Sequence, residues 1–156
     1  MPVTTRRATL DDLDALAPLF ADYRTFYSMT PDHDTARRFL HERLSRGESV
    51  VFLAELDGRP AGFTQLYPMF SSVRAQRTFI LNDLFVATHA RRNGVAQALL
   101  SAAANFGREA GAIRLELETM PDNHAAQALY RAEGWVQYDE TLRFQLPLAQ
   151  TWSDDA

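Results

Sequence analysis

The sequence predicts a single-domain α/β (α+β) fold: a central mixed, mostly antiparallel twisted sheet of about seven strands with helices on both faces. Three observations predict it. Strand-like segments dominate the first half, including a hairpin around Asp57-Gly58-Arg59-Pro60. Two helical stretches then alternate with a strand, and two further strand-like segments close the chain. The 156 residues, 46% hydrophobic and 23% charged, fit one domain with a substantial core.

The elements follow in order. Val3 to Ala8 reads as a first strand. Thr9-Leu10-Asp11-Asp12 carries a helix start, with Thr9 as cap and acids in the first turn. Leu13, Leu16, Phe20, Tyr23 and Tyr27 follow at helical spacing, and Pro18 inside that pattern is expected to kink or split the helix. Asp34 to Leu44 is a second helix, ending before Gly47. Ser49 to Glu55 and Ala61 to Tyr67 are the two strands of the hairpin. Arg77 to Val86 is a central strand, nearly continuously apolar apart from Asn82 and Asp83. Gly94 to Ala110 is helical, with Val95, Leu99, Ala102 and Phe106 on one face and Gly111 as its stop. Ile113 to Thr119 is a strand, and Asp122 to Ala132 a helix closed by Gly134. Trp135 to Asp139 and Leu142 to Leu148 read as the last two strands. Residues 1–150 form the domain and 151–156 a frayed tail. No repeat of domain scale, low-complexity segment or Gly/Ser-rich linker interrupts it.

Composition excludes several chemistries. There is no cysteine, so disulfides, thiolate zinc sites and cysteine nucleophiles are ruled out. All 16 basic residues are arginine. Without lysine there is no Walker A phosphate loop and no Schiff base. His33, His41, His89 and His124 lack metal-ligand spacing, so no metal is expected. A net charge of −4 argues against nucleic acid as a partner. No apolar run nears the roughly 20 residues that span a bilayer, and Met1 to Leu10 lacks a signal-peptide core. No membrane partner is expected, and a cytoplasmic location is.

Two stretches carry chemistry. Arg91-Arg92-Asn93-Gly94-Val95-Ala96 opens a long helix, with no acid between Asp83 and Glu109. Helix N-termini offer unpaired amides and positive potential, and the small Gly94 and Ala96 let a diphosphate approach the backbone. An ordinary helix preceded by a basic turn has the same pattern. Asn123, Ala126 and Tyr130, at i, i+3 and i+7, share one helix face. An amide, a methyl and a phenol along one face can hold a polar chain. A capping Asn and a core Tyr explain the spacing equally well.

Taken together, Arg91-x-x-Gly94-x-Ala96 and Asn123-x-x-Ala126-x-x-Leu129-Tyr130-x-x-x-Gly134-Trp135 resemble the GNAT N-acetyltransferase superfamily, over nearly the whole chain from Val3 to Leu148. Leu81 to Val86 and Leu115 to Thr119 look like its histone and polyamine acetyltransferase-like branch. Two positions depart from the pattern. Residue 96 is Ala where many members have Gly, and Asn82 stands where the similar diamine acetyltransferases carry a glutamate proposed to help remove the amine proton. Asn82 cannot act as a base.

The resemblance implies an acetyl-CoA-dependent N-acetyltransferase acting on a primary amine through a ternary complex. The amine belongs to a small molecule of polyamine or amino-acid type, or to a protein lysine. It implies that the strands Arg77–Val86 and Ile113–Thr119 splay in a V, opened by a β-bulge near Asn82–Leu84. Pantetheine would lie along Leu84, Phe85 and Val86, and the pyrophosphate on the amides from Arg92 to Ala96, beside Arg91. Asn123, Ala126 and Tyr130 would complete the coenzyme A site. Tyr130 would protonate the leaving thiolate, since a phenol stays protonated at neutral pH. Asp83, Glu116 and Glu118 are candidate bases, acting directly or through water. Tyr23, Phe26, Tyr27, Tyr67, Asn82 and Asp83 would contact the acceptor. Family members are often dimers, so a homodimer is an expectation. A non-catalytic acyl-CoA sensor on the same fold is the competing reading, and Tyr130 argues against it.

Overall fold

The computed structural model describes residues 2–149, so the tail expected at 151–156 lies outside the described residues. Strands β1 (Val3–Arg7), β2 (Val50–Leu56), β3 (Arg59–Ser71), β4 (Gln76–Val86) and β5 (Leu115–Glu116) form one sheet in that order. The first four are antiparallel to their neighbours, and β5 runs parallel to β4. Helices α1 (Leu13–Phe26) and α2 (His33–Ser45) cover one face, α3 (Val95–Glu109) covers the other, and α4 (His124–Ala132) follows β5.

Side-chain alternation in β2 explains the layering. Val50, Phe52, Ala54 and Leu56 enter the cluster under α3, while Val51 and Leu53 enter the cluster under α1 and α2. Both faces of the strand are buried, so it is apolar apart from Glu55, which is half-buried and paired with Arg6. Leu16, Leu40, Phe63, Leu66 and Leu99 are fully buried and knit the two layers to the sheet.

Thr9 caps as expected, with a reciprocal capping box to Asp12, and a 3-10 turn, Leu10–Asp12, precedes α1. Pro18 does not split α1, which runs unbroken to Phe26. Pro18 lacks the N–H that would bond the Asp14 carbonyl, but both residues sit on the exposed face, where water can reach that carbonyl.

β4 contains the expected bulge. Gln65 pairs with Asp83 and Leu66 with Leu81, leaving Asn82 as an extra residue. Before it, Phe79 and Leu81 face α3; after it, Leu84 and Val86 do. The inserted residue switches the parity of the strand and turns Asp83 toward the α1 face.

The far side of the sheet departs from expectation. Of Ile113–Thr119 only Leu115 and Glu116 pair with β4, and Trp135–Asp139 and Leu142–Leu148 form no strand. The described sheet therefore has five strands rather than about seven. Past the bulge β4 turns away from β5, which leaves β5 too short an edge to template another strand. Leu142, Phe144, Leu146 and Leu148 keep a strand's apolar alternation yet are 82–90% exposed.

Gly62 sets the approach of β3 and α3 to the end of β4. A Cβ there would lie 2.5 Å from the Phe85 carbonyl oxygen and 3.2 Å from Val95 Cγ1. Gly62→Ala is therefore expected to destabilise the fold by about 1–3 kcal/mol. Urea denaturation checks this, and an unchanged midpoint would show that the junction has room.

Candidate active site

Because β4 and β5 pair only at Phe79–Leu115 and Ile80–Glu116, the chain opens into a V beyond them. A cavity of about 600 Å³ fills the opening. One wall is Leu81, Asn82, Leu84, Phe85 and Val86 of β4, and the facing wall is Leu117, Glu118 and Thr119.

The start of α3 closes one end. Arg92 and Gly94 both take left-handed backbone, at φ 64° and 78°, which folds the loop tightly before the helix. Gly94 is the N-cap and offers no side-chain acceptor, and no acid lies in the first turn. The helix's first backbone bond runs from the Ala98 N–H to the Gly94 carbonyl, at 3.0 Å. The N–H groups of Val95, Ala96 and Gln97 thus have no intrahelical acceptor and meet the cavity they line. Arg91 and Arg92 line it too.

α4 supplies the side wall. Asn123, Ala126 and Tyr130 all line the cavity, as their shared face requires. Asn123 is also the helix cap, its Oδ1 accepting from the Ala126 N–H at 3.2 Å, so the structural and functional readings of that residue both hold geometrically. Gln97 Nε2 donates to Glu133 Oε1 at 3.0 Å and ties α3 to the end of α4. Burial pushes the Tyr130 phenol up, so it keeps its proton at neutral pH.

Another part of the lining is aromatic. Tyr23 and Phe26 of α1 and Tyr27, which caps that helix, form it. Their rings contact one another edge-on, with Tyr23–Tyr27 centroids 5.1 Å apart and Phe26–Tyr27 centroids 5.4 Å apart. Beneath them is Asp83, only 3% exposed. Its Oδ1 accepts from the Tyr23 hydroxyl at 3.1 Å and from Asn82 Nδ2 at 2.8 Å, and its Oδ2 accepts from Gln65 Nε2 at 2.5 Å. The Thr64 hydroxyl holds the Asp83 carbonyl at 2.7 Å. Burial raises the Asp83 carboxyl above the ordinary carboxylate range, and the donors Gln65, Asn82 and Tyr23 offset this in part.

Not every expected residue reaches the cavity. Asn93 turns into its own loop, where Nδ2 donates to the carbonyls of Ala90 and Arg91 at 3.2 and 2.9 Å. It shapes the turn rather than lining the cavity. Tyr67 is half-buried on β3, just past the Gln65–Leu66 step and paired with Ile80, and does not line the cavity. Asp83 lies behind the lining rather than in it. Glu118 lines the cavity and is ion-paired to Arg143, whereas Glu116 pairs with Arg114 outside it. Gln97, Leu117, Thr119 and Leu129 line the cavity without having been anticipated. Gln97 could have been found three residues after Gly94, within the helix's first turn; Gln65 could not, because only the hairpin register brings it to Asp83. Among the described residues no group of three or more His, Asp or Glu could hold a metal ion.

The sequence pattern of the acetyltransferase (GNAT) family matches residues 13–135. The chain is 48% identical over 132 residues to the uncharacterized N-acetyltransferase YhfO of Bacillus subtilis (strain 168), covering 85% of this chain and 89% of that protein. The chain belongs to the GNAT family of acetyltransferases. A crystal structure of a probable acetyltransferase superposes on this GNAT chain with a TM-score of 0.88 at 44% identity, covering 96% of this chain and 99% of that one. An aminoglycoside N(6')-acetyltransferase type 1 of Stenotrophomonas maltophilia is 28% identical over 149 residues, 93% of this chain and 94% of its own.

This GNAT protein is an N-acetyltransferase and takes acetyl-CoA as acyl donor. The residues present fit that donor. Unpaired amides and two arginines suit its phosphates, and the β4 edge past Ile80, unpaired among the described strands, suits an amide-bearing arm. When bound, it supplies a thioester carbonyl open to attack by an amine.

Two outcomes follow for the GNAT site. Gly94→Glu puts a carboxylate and a strained left-handed residue at the helix start, and should weaken acetyl-CoA binding by about 2 kcal/mol, roughly 30-fold, in isothermal titration. Unchanged affinity in a folded variant would move the phosphates elsewhere. The second concerns stability. Asp83 has its folded pKa raised above its unfolded one, so its favourable contribution is present in acid and is lost as pH rises through the folded value. At neutral pH the fold bears the cost of a buried carboxylate. Gln65 Oε1 has no partner, so a flipped Gln65 amide could accept from an asparagine at position 83. Asp83→Asn should therefore raise Tm at pH 7 by roughly 2–5 °C, with the gain fading toward pH 4. A loss of Tm across the whole range would contradict this.

Proposed function

We propose that this enzyme transfers acetyl directly to a primary amine of a small molecule in a ternary complex. The observation that carries the reading is one cavity with two chemically different parts. The basic helix start lines one part and the aromatic wall of Tyr23, Phe26 and Tyr27 another, with the α4 face as the side wall. With no cysteine and no lysine, a covalent acyl-enzyme on those residues cannot form, so the amine must meet the acyl carbon itself. The aromatic wall above a buried carboxylate suits a cationic amine carried on an apolar or polyamine-type body. The likeness to an aminoglycoside acetyltransferase adds support for a polyamine-like acceptor, and an amino-acid amine or a protein lysine is the second choice.

In this reading Tyr130 holds the proton that a departing thiolate needs, at its phenol oxygen. A main-chain N–H near Val86 is positioned for the developing oxyanion. Asp83 is the sink for the amine's proton, and Glu118, tied to Arg143, is the alternative. Asn123 and Ala126 flank the coenzyme's arm. A cytoplasmic location goes with acetyl-CoA as the intracellular acyl carrier. A homodimer accounts for the exposed apolar row from Leu142 to Leu148, which the Arg143–Glu118 ion pair ties to the segment after β5.

A screen of primary amines with detection of released thiol tests the reaction, and no turnover with any small amine would favour a protein lysine. Tyr130→Phe keeps the ring that packs on Trp135 and removes only the proton donor. It should preserve acetyl-CoA affinity and lower kcat by roughly 10²–10⁴-fold. Near-normal kcat where chemistry limits turnover would assign the acid to water. Light scattering after size exclusion is expected to give twice the chain mass of 17.6 kDa.

A further inference from the structure

Asp83 is the carboxylate best placed to take up a proton, yet it does not line the cavity and is 3% exposed. An acceptor in the cavity cannot touch it. Two of its three donors do line the cavity, Tyr23 and Asn82. They differ in chemistry. An amide nitrogen donates and cannot pass a proton on, whereas a phenol both donates and accepts at the same oxygen. Tyr23 is also the more rigidly held. Its ring lies against Phe63 at 5.6 Å and 84°, against Phe85 at 6.1 Å and 69°, and against Phe20 at 6.0 Å and 25°.

We propose that Tyr23 is a catalytic proton relay, carrying the proton of the acceptor ammonium from the cavity to the buried Asp83. The step conserves charge. The ammonium N–H breaks as a new O–H forms on the Tyr23 oxygen. The original Tyr23 O–H breaks as an O–H forms on Asp83 Oδ1. Ammonium and carboxylate become amine and carboxylic acid, and the phenol is regenerated. The same path run backward returns the proton to solvent once the product leaves. A tyrosinate is never populated, which agrees with burial and the Asp83 charge pushing the Tyr23 phenol up.

The surroundings favour proton uptake by Asp83. No arginine is paired with its carboxylate among the described residues. The titratable neighbours are Tyr27 at the end of α1 and Tyr67 of β3, with Arg43 of α2 acting on Tyr67 and Glu118 across the cavity. Of the two cavity-lining donors to Asp83, only the Tyr23 phenol can hand on a proton from an arriving cation.

The relay rests on the amine-transfer reading above, and its test separates the two. Tyr23→Phe keeps the ring and its packing. Titration of the Asp83 carboxyl by 13C NMR in the ligand-free protein should show its pKa higher in Tyr23→Phe than in wild type, because one donor to the carboxylate is gone. An unchanged titration would overturn the relay whatever the enzyme's substrate. In turnover, ethylamine is mostly ammonium at neutral pH, while 2,2,2-trifluoroethylamine is mostly free amine. Tyr23→Phe should lower kcat/KM for ethylamine by roughly 10²-fold or more and remove the acid limb set by Asp83, with much less loss for the fluorinated amine. Tyr23→Phe with Asp83→Asn should be no slower than the slower single variant. Equal losses for both amines, with the acid limb kept, would make Tyr23 a packing residue. Acetyl-CoA affinity should stay unchanged in Tyr23→Phe, and failure of every variant and wild type to acetylate either amine would count against the amine reading while leaving the NMR result to decide the relay.

Discussion

One extra residue in one strand governs this molecule. With Asn82 inserted opposite the Gln65–Leu66 step, β4 changes parity, so the residues beyond it exchange faces. Asp83 then points to the α1 side, where Tyr23 and Gln65 meet it, instead of into the aliphatic layer under α3. The same irregularity bends β4 away from β5 after two paired residues, and the cavity is the resulting gap. A buried carboxylate without a cation would be costly in either layer. On the α1 side three neutral donors compensate it, and on the α3 side only apolar groups would have surrounded it.

The cavity is electrostatically uneven. Arg91, Arg92 and the free amides at the start of α3 make their part of it positive, whereas Glu118 on the facing wall is paired with Arg143 and Asp83 lies behind the lining. In the proposed reading the anionic acyl carrier is drawn to the positive part and the cationic acceptor to the aromatic wall. Tyr130 and Tyr23 sit on different walls of the same space, one from α4 and one from α1. Burial keeps both phenols protonated, so each offers a proton donor at neutral pH.

Several features were legible because they depend on neighbours in sequence. The hairpin turn at Asp57-Gly58, the Thr9 cap, the acid-free start of α3 and the Asn123–Ala126–Tyr130 face all follow from local spacing. Others were not. Pro18 was tolerated because its face of α1 is solvated, and exposure is a tertiary property. Asn93 looked like part of a phosphate loop, but the loop's own carbonyls claim its amide. Trp135–Asp139 and Leu142–Leu148 have strand periodicity, yet a strand needs an edge to pair with, and β5 offers one of two residues.

By itself the sequence determined the family, the absence of thiol and lysine chemistry, and the two stretches that line the cavity. Those depend on residue type and on short-range geometry, which the chain carries wherever it folds. Only the tertiary structure decided which acidic residue is sheltered and which is solvated. Asp83, Glu116 and Glu118 differ little as letters, but the bulge, the hairpin register and the packing of α1 gave them different dielectric surroundings and different partners. Protonation chemistry follows from surroundings of that kind, which local spacing does not encode.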